Sequence, residues 1–207
     1  MASEELAVFL LPASTLGLQV HPLVLYDGQH AAHLRMEQAQ APEPLLQGPA
    51  ALVMARLEQA MQVAMLAHCA ETVGAMQRAF DITLDYLKTR KQFGKAIAAN
   101  QVVQHRLVDL HVEIAEARAL TFDGAAQIAR LSDDSTLRRR QVAATRSCVV
   151  QAARHVWEES VQLHGAIGMT DEYQVGRYVK RLALACTLFG GLEEQLEELA
   201  ALALDAR

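Results

Sequence analysis

The feature that most constrains this chain is a helical period that begins at Ala50 and runs to Phe93-Gly94. Apolar residues at Leu52, Val53, Leu57, Met61, Ala64 and Met65, and then at Val73, Met76, Phe80, Ile82, Leu84 and Leu87, recur at threes and fours. A helix of about 38 residues is about 57 Å long. Such a length demands long partners, and two follow. One runs from Gln101 to about Ala129 behind Asn100 as cap, the other from about Ser135 to Leu163 after the polar turn LSDDS. A fourth segment, Asp171 to Phe189, is expected behind Thr170 as cap, with two acidic residues in its first turn where the helix dipole favours them. A shorter fifth helix, rich in Leu, Ala and Glu, is expected from Leu192 to Ala206. Long antiparallel helices with one broad apolar face and short connections describe an up-down four-helix bundle, and the Ala on those faces permits close approach.

Residues 7 to 38 have a different texture. AVFLLP, GLQVHPLVLY and HAAHLRME are strand-like, with Pro12, Gly17 and Asp27-Gly28 as turn signals. Three short strands bury little alone, so this segment must pack on something else or be the remnant of a larger sheet. Pro42, Pro44, Gly48 and Pro49 read as a linker. The fold class expected is mainly α, with residues 1–49 a partial β domain and linker and residues 50–207 the helical bundle.

With 207 residues of which 52% are hydrophobic types, the chain can bury a substantial core. Its formal net charge of -5, with Lys and Arg gathered at Lys88 to Lys95 and Arg138 to Arg140, argues against nucleic-acid binding through a broad basic face. Cys69, Cys148 and Cys186 lie far apart, which suits reduced, mostly buried thiols in a cytoplasmic protein better than a zinc set or a disulfide framework. The uncharged run Leu6 to Tyr26 is broken by Pro12, Gly17 and Pro22, so no membrane insertion is expected. His30 and His33 face opposite ways on a strand, and His105 and His111 point about 120° apart on a helix. No metal site is expected.

Two stretches carry candidate chemistry. In Arg90-Lys91-Gln92-Phe93-Gly94, Arg90 offers a fork for phosphate, Gln92 a neutral amide, and Gly94 a backbone free to take positive φ. A basic helix end with a glycine cap produces the same letters. In Gln162 to Thr170, Gly165 and Gly168 between a helix end and a helix start can expose N–H groups to an anion, and an ordinary tight interhelical loop again produces the same spacing.

Together these motifs resemble the acyl-CoA dehydrogenase family, from about Glu5 to the end and most clearly between Ala70 and Lys180. The likeness rests on the Gly74 segment, the Tyr86-to-Arg90 approach, Arg90-x-Gln92-Phe93-Gly94, the run QVVQHRL from Gln101 to Leu107, and the Gln162-to-Gly168 loop. It implies a flavoprotein with a helical C-terminal half and a small middle β domain, binding FAD across a subunit boundary. By similarity, Arg90, Gln92 and Phe93 contact the diphosphate and adenine side of a neighbouring subunit's FAD, and Gln162, Gly165 and Gly168 match the other cofactor loop. Gln101 and Gln104 are placed near dimer-side helix contacts. The basic corner is then both a helix end and a phosphate site.

The family reaction removes an α-proton from an acyl-CoA with a carboxylate base while hydride passes from the β-carbon to flavin. Here the resemblance breaks. The usual glutamate frame, set by Arg181 and Phe189, falls on Gly190, and the alternative frame on the first long helix falls on Ala64. Neither has a proton acceptor, so no catalytic residue is assigned. The family's N-terminal helical domain and the first part of its β domain are also absent. The expectation is an FAD-dependent acyl-CoA dehydrogenase of which this chain is a fragment or non-catalytic subunit. It would work as a homo-oligomer or as a heteromer with a second such subunit, in the manner of the steroid-side-chain branch, with acyl-CoA as ligand and an electron-transfer protein as acceptor. The competing expectation is a catalytically silent structural or interaction subunit without flavin.

Overall fold

The computed structural model describes residues 5–130, 135–170 and 172–204. The chain divides into two compact units, residues 1–61 and 62–207. In the first, β1 (Glu5–Val8) pairs antiparallel with β4 (Leu46–Pro49), and β2 (Leu18–Val24) with β3 (His30–Met36), giving two separate two-stranded sheets. The β2–β3 hairpin closes at Asp27-Gly28, where Gly28 has φ 87° and the Asp27 side chain accepts from the Gln29 N–H at 3.0 Å. Strand β4 lies in the stretch read as a linker. Pro49 ends it, where a missing N–H interrupts no continuing ladder.

Helix α1 (Ala50–Thr89) has 40 residues and runs from the first unit into the second. There α2 (Gln101–Arg130), α3 (Ser135–His164), α4 (Val175–Ala185) and α5 (Leu192–Leu204) complete a helical bundle. Its core follows the helical repeat: Cys69, Val73, Met76, Phe80 and Leu87 from α1, Val103, Leu107, Leu110, Ile114 and Ala117 from α2, Val149, Ala153 and Val156 from α3, and Leu182 from α4. Close approach has a steric signature at Gly124, where a Cβ would sit 3.0 Å from both Leu66 Cδ2 and Thr145 Oγ1.

Helices α2 and α3 lie within a residue of expectation, but the fourth differs. Thr170 does not cap it, since its hydroxyl turns back to the Ile167 carbonyl at 2.9 Å, and the first turn of α4 contains no acidic residue. A 3-10 turn at Gly165–Met169 precedes the helix, and a turn with positive φ at Phe189 and Gly190 follows it. Asn100 stands before α2 in extended conformation, yet its amide donates back to Ile97 O at 3.0 Å. Leu131 to Asp134 of the LSDDS turn, Asp171, and the last residues of the expected fifth helix lie outside the described residues. Arg138 turns inward to Gln62 and Arg139 pairs with Glu198, so the Arg138–Arg140 run is no basic patch. No helix among the described residues is long and apolar enough to cross a membrane.

Candidate functional site

The basic corner is a turn in its own right. Helix α1 stops at Thr89, whose hydroxyl donates to Asp85 O and Tyr86 O. The chain then forms a minimal hairpin, β5 (Lys91–Gln92) against β6 (Lys95–Ala96). Its two tip residues both have positive φ, 52° at Phe93 and 79° at Gly94, the signature of a type I′ turn. Glycine takes such a conformation freely, while a phenylalanine there is strained by about 1–2 kcal/mol. Phe93 is also 99% exposed, so the hairpin spends strain to present a bare aromatic ring outward.

Behind the hairpin lies a cavity of about 730 Å³. Arg90 and Gln92 line it from the corner, Val102, Val103 and Arg106 from the start of α2, and Gln162 to Ile167 from the end of α3. Both sequence motifs therefore open onto one space. Of the predicted ligand residues, Arg90, Gln92, Gln162 and Gly165 meet there, whereas Phe93 points away from the lining set. Gly168 is buried, and a Cβ on it would lie 2.9 Å from His164 Cβ and 3.2 Å from Val161 O, so a glycine lets the 3-10 turn fold back on α3. Gly165, at φ 66° with open space where a Cβ would stand, leaves its backbone sterically uncovered at the cavity wall.

His164 is a site residue that sequence spacing did not single out. It is 4% exposed and stacks on Tyr86 at 4.5 Å between ring centroids, with Tyr173 at 5.2 Å. Its Nδ1 lies 2.8 Å from Ser160 O and so carries the proton, which leaves Nε2 as a buried acceptor without a partner among the described residues. Burial holds its pKa below the ordinary histidine value, against the opposing pull of the Ser160 carbonyl.

At the expected base positions there is no carboxylate. Gly190 sits in the positive-φ turn, and Arg146, fully buried, donates from Nη2 to Leu188 O at 2.7 Å and Gly190 O at 2.8 Å. Ala64 is exposed on α1. Glu71 is ion-paired with Arg181, and Glu194 accepts from the Gly191 N–H at 2.8 Å. A second cleft, about 660 Å³ and almost wholly apolar, lies between α1 and α2 beside Ala70, Gly74 and Phe122.

Residues 53–204 match the family described as acyl-CoA dehydrogenase, C-terminal domain. The chain belongs to the acyl-CoA dehydrogenase family. It is 38% identical over 138 residues to acyl-CoA dehydrogenase IpdE2 of Mycolicibacterium smegmatis, a match covering 67% of this chain and 42% of that protein. Among solved structures it is similar to the Tcur3481–Tcur3483 steroid ACAD (TM-score 0.81, 26% identity, 97% of this chain and 52% of that one). It also shares the fold of the ChsE4–ChsE5 complex of Mycobacterium tuberculosis (TM-score 0.83, 24% identity, 96% and 52%). The chain thus spans about half the length of the relatives it matches.

Proposed function

We propose that this chain is the flavin-binding, base-lacking part of an acyl-CoA dehydrogenase, and that the cavity behind the β5–β6 hairpin takes the adenosine-diphosphate side of FAD. The observation that carries this is the convergence of Arg90, Gln92, Gln162 and Gly165 on one cavity from motifs about 70 residues apart. Those residues fit the group: a guanidinium for phosphate, two amides, and sterically open backbone at Gly165. The strained, exposed Phe93 is presented to a molecule outside the cavity wall, which agrees with a cofactor shared across a subunit boundary. Bound flavin would supply the hydride acceptor. This chain's share is to bind and orient it, since Gly190 and Ala64 offer no oxygen to take the substrate's α-proton.

The proton acceptor then comes from a second acyl-CoA dehydrogenase-like subunit. The likeness to a steroid ACAD and to a two-component complex favours a heteromer acting on a steroid-type acyl-CoA thioester, with an electron-transfer protein as acceptor. We assign residues 1–49 to a partial β domain that such a subunit completes, and the assembly to the cytoplasm. Missing carboxylates also favour a second reading, a silent structural subunit without flavin.

One titration separates them. The full chain, alone and with its co-purified partner, is titrated with FAD and followed by flavin absorbance. Saturable binding that weakens about 10-fold or more in Arg90→Gln is expected. Absence of flavin from the complete assembly, or indifference to Arg90→Gln, leaves the structural reading.

A further inference from the structure

The cavity presents two guanidinium groups in different states. Arg90 commits its backbone, N–H to Tyr86 O at 2.8 Å and carbonyl to Ile97 N–H at 3.0 Å, and has no side-chain partner among the described residues. Arg106, on the first turns of α2, is tied to α3: its Nη1 donates to Glu159 Oε2 at 3.1 Å and reaches Oε1 at 3.5 Å. Arg106 is 44% exposed and Glu159 17%.

A diphosphate carries two anionic phosphates, and one free guanidinium matches only one of them. The other polar side chains that join Arg90 from the two motifs, Gln92, Gln162 and His164 with its proton on Nδ1, are neutral. An ion pair as open as Arg106–Glu159 contributes little, because water competes with it and two side chains must be held in one geometry. A guanidinium–phosphate contact is stronger, being charge-assisted and geometrically matched through the planar fork. We infer that Arg106 is the second phosphate-binding cation of this cavity, and that Glu159 holds it in reserve and is displaced when a nucleotide diphosphate enters. The inference rests on the reading of the cavity as a diphosphate site and adds to it a residue pair outside the two candidate ligand stretches, Arg106 from the run QVVQHRL and Glu159 from α3. Glu159 thereby sets the affinity: it keeps the empty cavity from carrying two uncompensated cations and must yield Arg106 for each ligand bound.

The test is ADP binding to the full-length chain by calorimetry at fixed salt, with circular dichroism to confirm that each variant is folded. Arg106→Gln is expected to weaken ADP about 10-fold, Arg106→Lys less, and Glu159→Gln to tighten it about threefold. The gain from Glu159→Gln is expected to shrink or vanish in the Arg106→Gln background, because a competitor matters only while there is something to compete for. An equal gain in both backgrounds would mean that Glu159 acts as bulk negative charge, and would overturn the inference. So would ADP affinity that falls in Arg90→Gln yet stays unmoved by changes at 106 and 159, with the diphosphate site itself left standing. No ADP binding by either the wild-type chain or Glu159→Gln removes site and inference together. FAD and coenzyme A share the adenosine-diphosphate unit, so both are run as parallel arms. The Arg106 dependence following FAD assigns the cavity to flavin, its following coenzyme A assigns it to the thioester's nucleotide, and either result supports Arg106 as the second cation.

Discussion

Arg146 sits in the bundle with no accessible surface, and among the described residues only its Nη2 is hydrogen-bonded, Nε and Nη1 having no partner there. Burial lowers its pKa, Cys69 and Cys186 pull the other way, and the nearest aromatic face is Phe189, 5.7 Å from the guanidinium carbon. A buried cation without a carboxylate is costly, so its retention must be offset by what it holds: the carbonyls of Leu188 and Gly190 on either side of the strained Phe189. Arg146→Ala is therefore expected to lose about 3–5 kcal/mol, since two charge-assisted bonds vanish and a cavity remains. Arg146→Met, which fills the space and removes the desolvation penalty, should lose about half of that. Urea midpoints with unchanged slope check the order, and a Met variant no better than Ala would show that the charge itself is needed. This residue was invisible in the sequence, where it is one of several arginines on an amphipathic helix. His164 with Tyr86, and His155 with Glu113 at 2.9 Å, escaped for the same reason. Each contact joins residues tens of positions apart, and spacing within one helix carries no information about that.

At the scale of elements, the helices were legible because burial on one side imposes a 3.6-residue repeat, and α2 and α3 obey it to within a residue at both ends. What failed were the ends governed by backbone geometry. The apolar repeat around α4 continues into Leu188 and Phe189, but the chain leaves the helix at Cys186 to meet Arg146, a tertiary demand. Strand β4 was missed because Pro and Gly signal a linker, although an isolated two-stranded pair accepts a proline at its end. The cavity-facing motifs, by contrast, were readable: Arg90 to Gly94 and Gln162 to Gly168 are local sequences whose glycines report local backbone needs. Gly168 illustrates the limit, since its close approach to His164 and Val161 is a contact that spacing does not report. Its substitution by Ala would drive a methyl into His164 Cβ and the Val161 carbonyl at the junction of α3 and the 3-10 turn. A loss of about 1–3 kcal/mol is expected, with the Tyr86–His164 stack displaced. Thermal melting gives the first, and the loss of ADP affinity together with altered Tyr86 and His164 side-chain NMR shifts gives the second. Gly165→Ala, with open space around it but φ 66°, should instead cost about 1 kcal/mol from backbone strain alone.

For the whole molecule, the titratable groups in the interior bound the pH range in which the bundle is most stable. On the acid side stand His68 and His164. Burial is the larger cause of lowering for both, reinforced at His68 by the charge of Arg146. Their folded pKa values lie below the ordinary histidine value of 6.5, so beneath that pH the unfolded chain binds protons that the folded chain refuses. Stability is complete above about 6.5 and falls as the pH drops toward the depressed folded values. On the alkaline side stand Cys69 and Cys186, which burial raises from 9.0 to about 11. Here the unfolded thiols ionise first, so stability falls as the pH climbs from 9.0 to about 11, by on the order of 2 kcal/mol for the fully buried Cys69 and less for the half-buried Cys186. The expected profile is a plateau between these limits with two independent flanks, each owned by named residues. Urea unfolding at a series of pH values measures it, and two variants assign it. Cys69→Ala should lower the alkaline flank, with Cys186 and Cys148 keeping the remainder, and leave the acid one unchanged, while His164→Phe, which keeps an aromatic ring against Tyr86, should reduce the acid flank alone. An alkaline flank that survives in Cys69→Ala at full height would place the ionising group elsewhere.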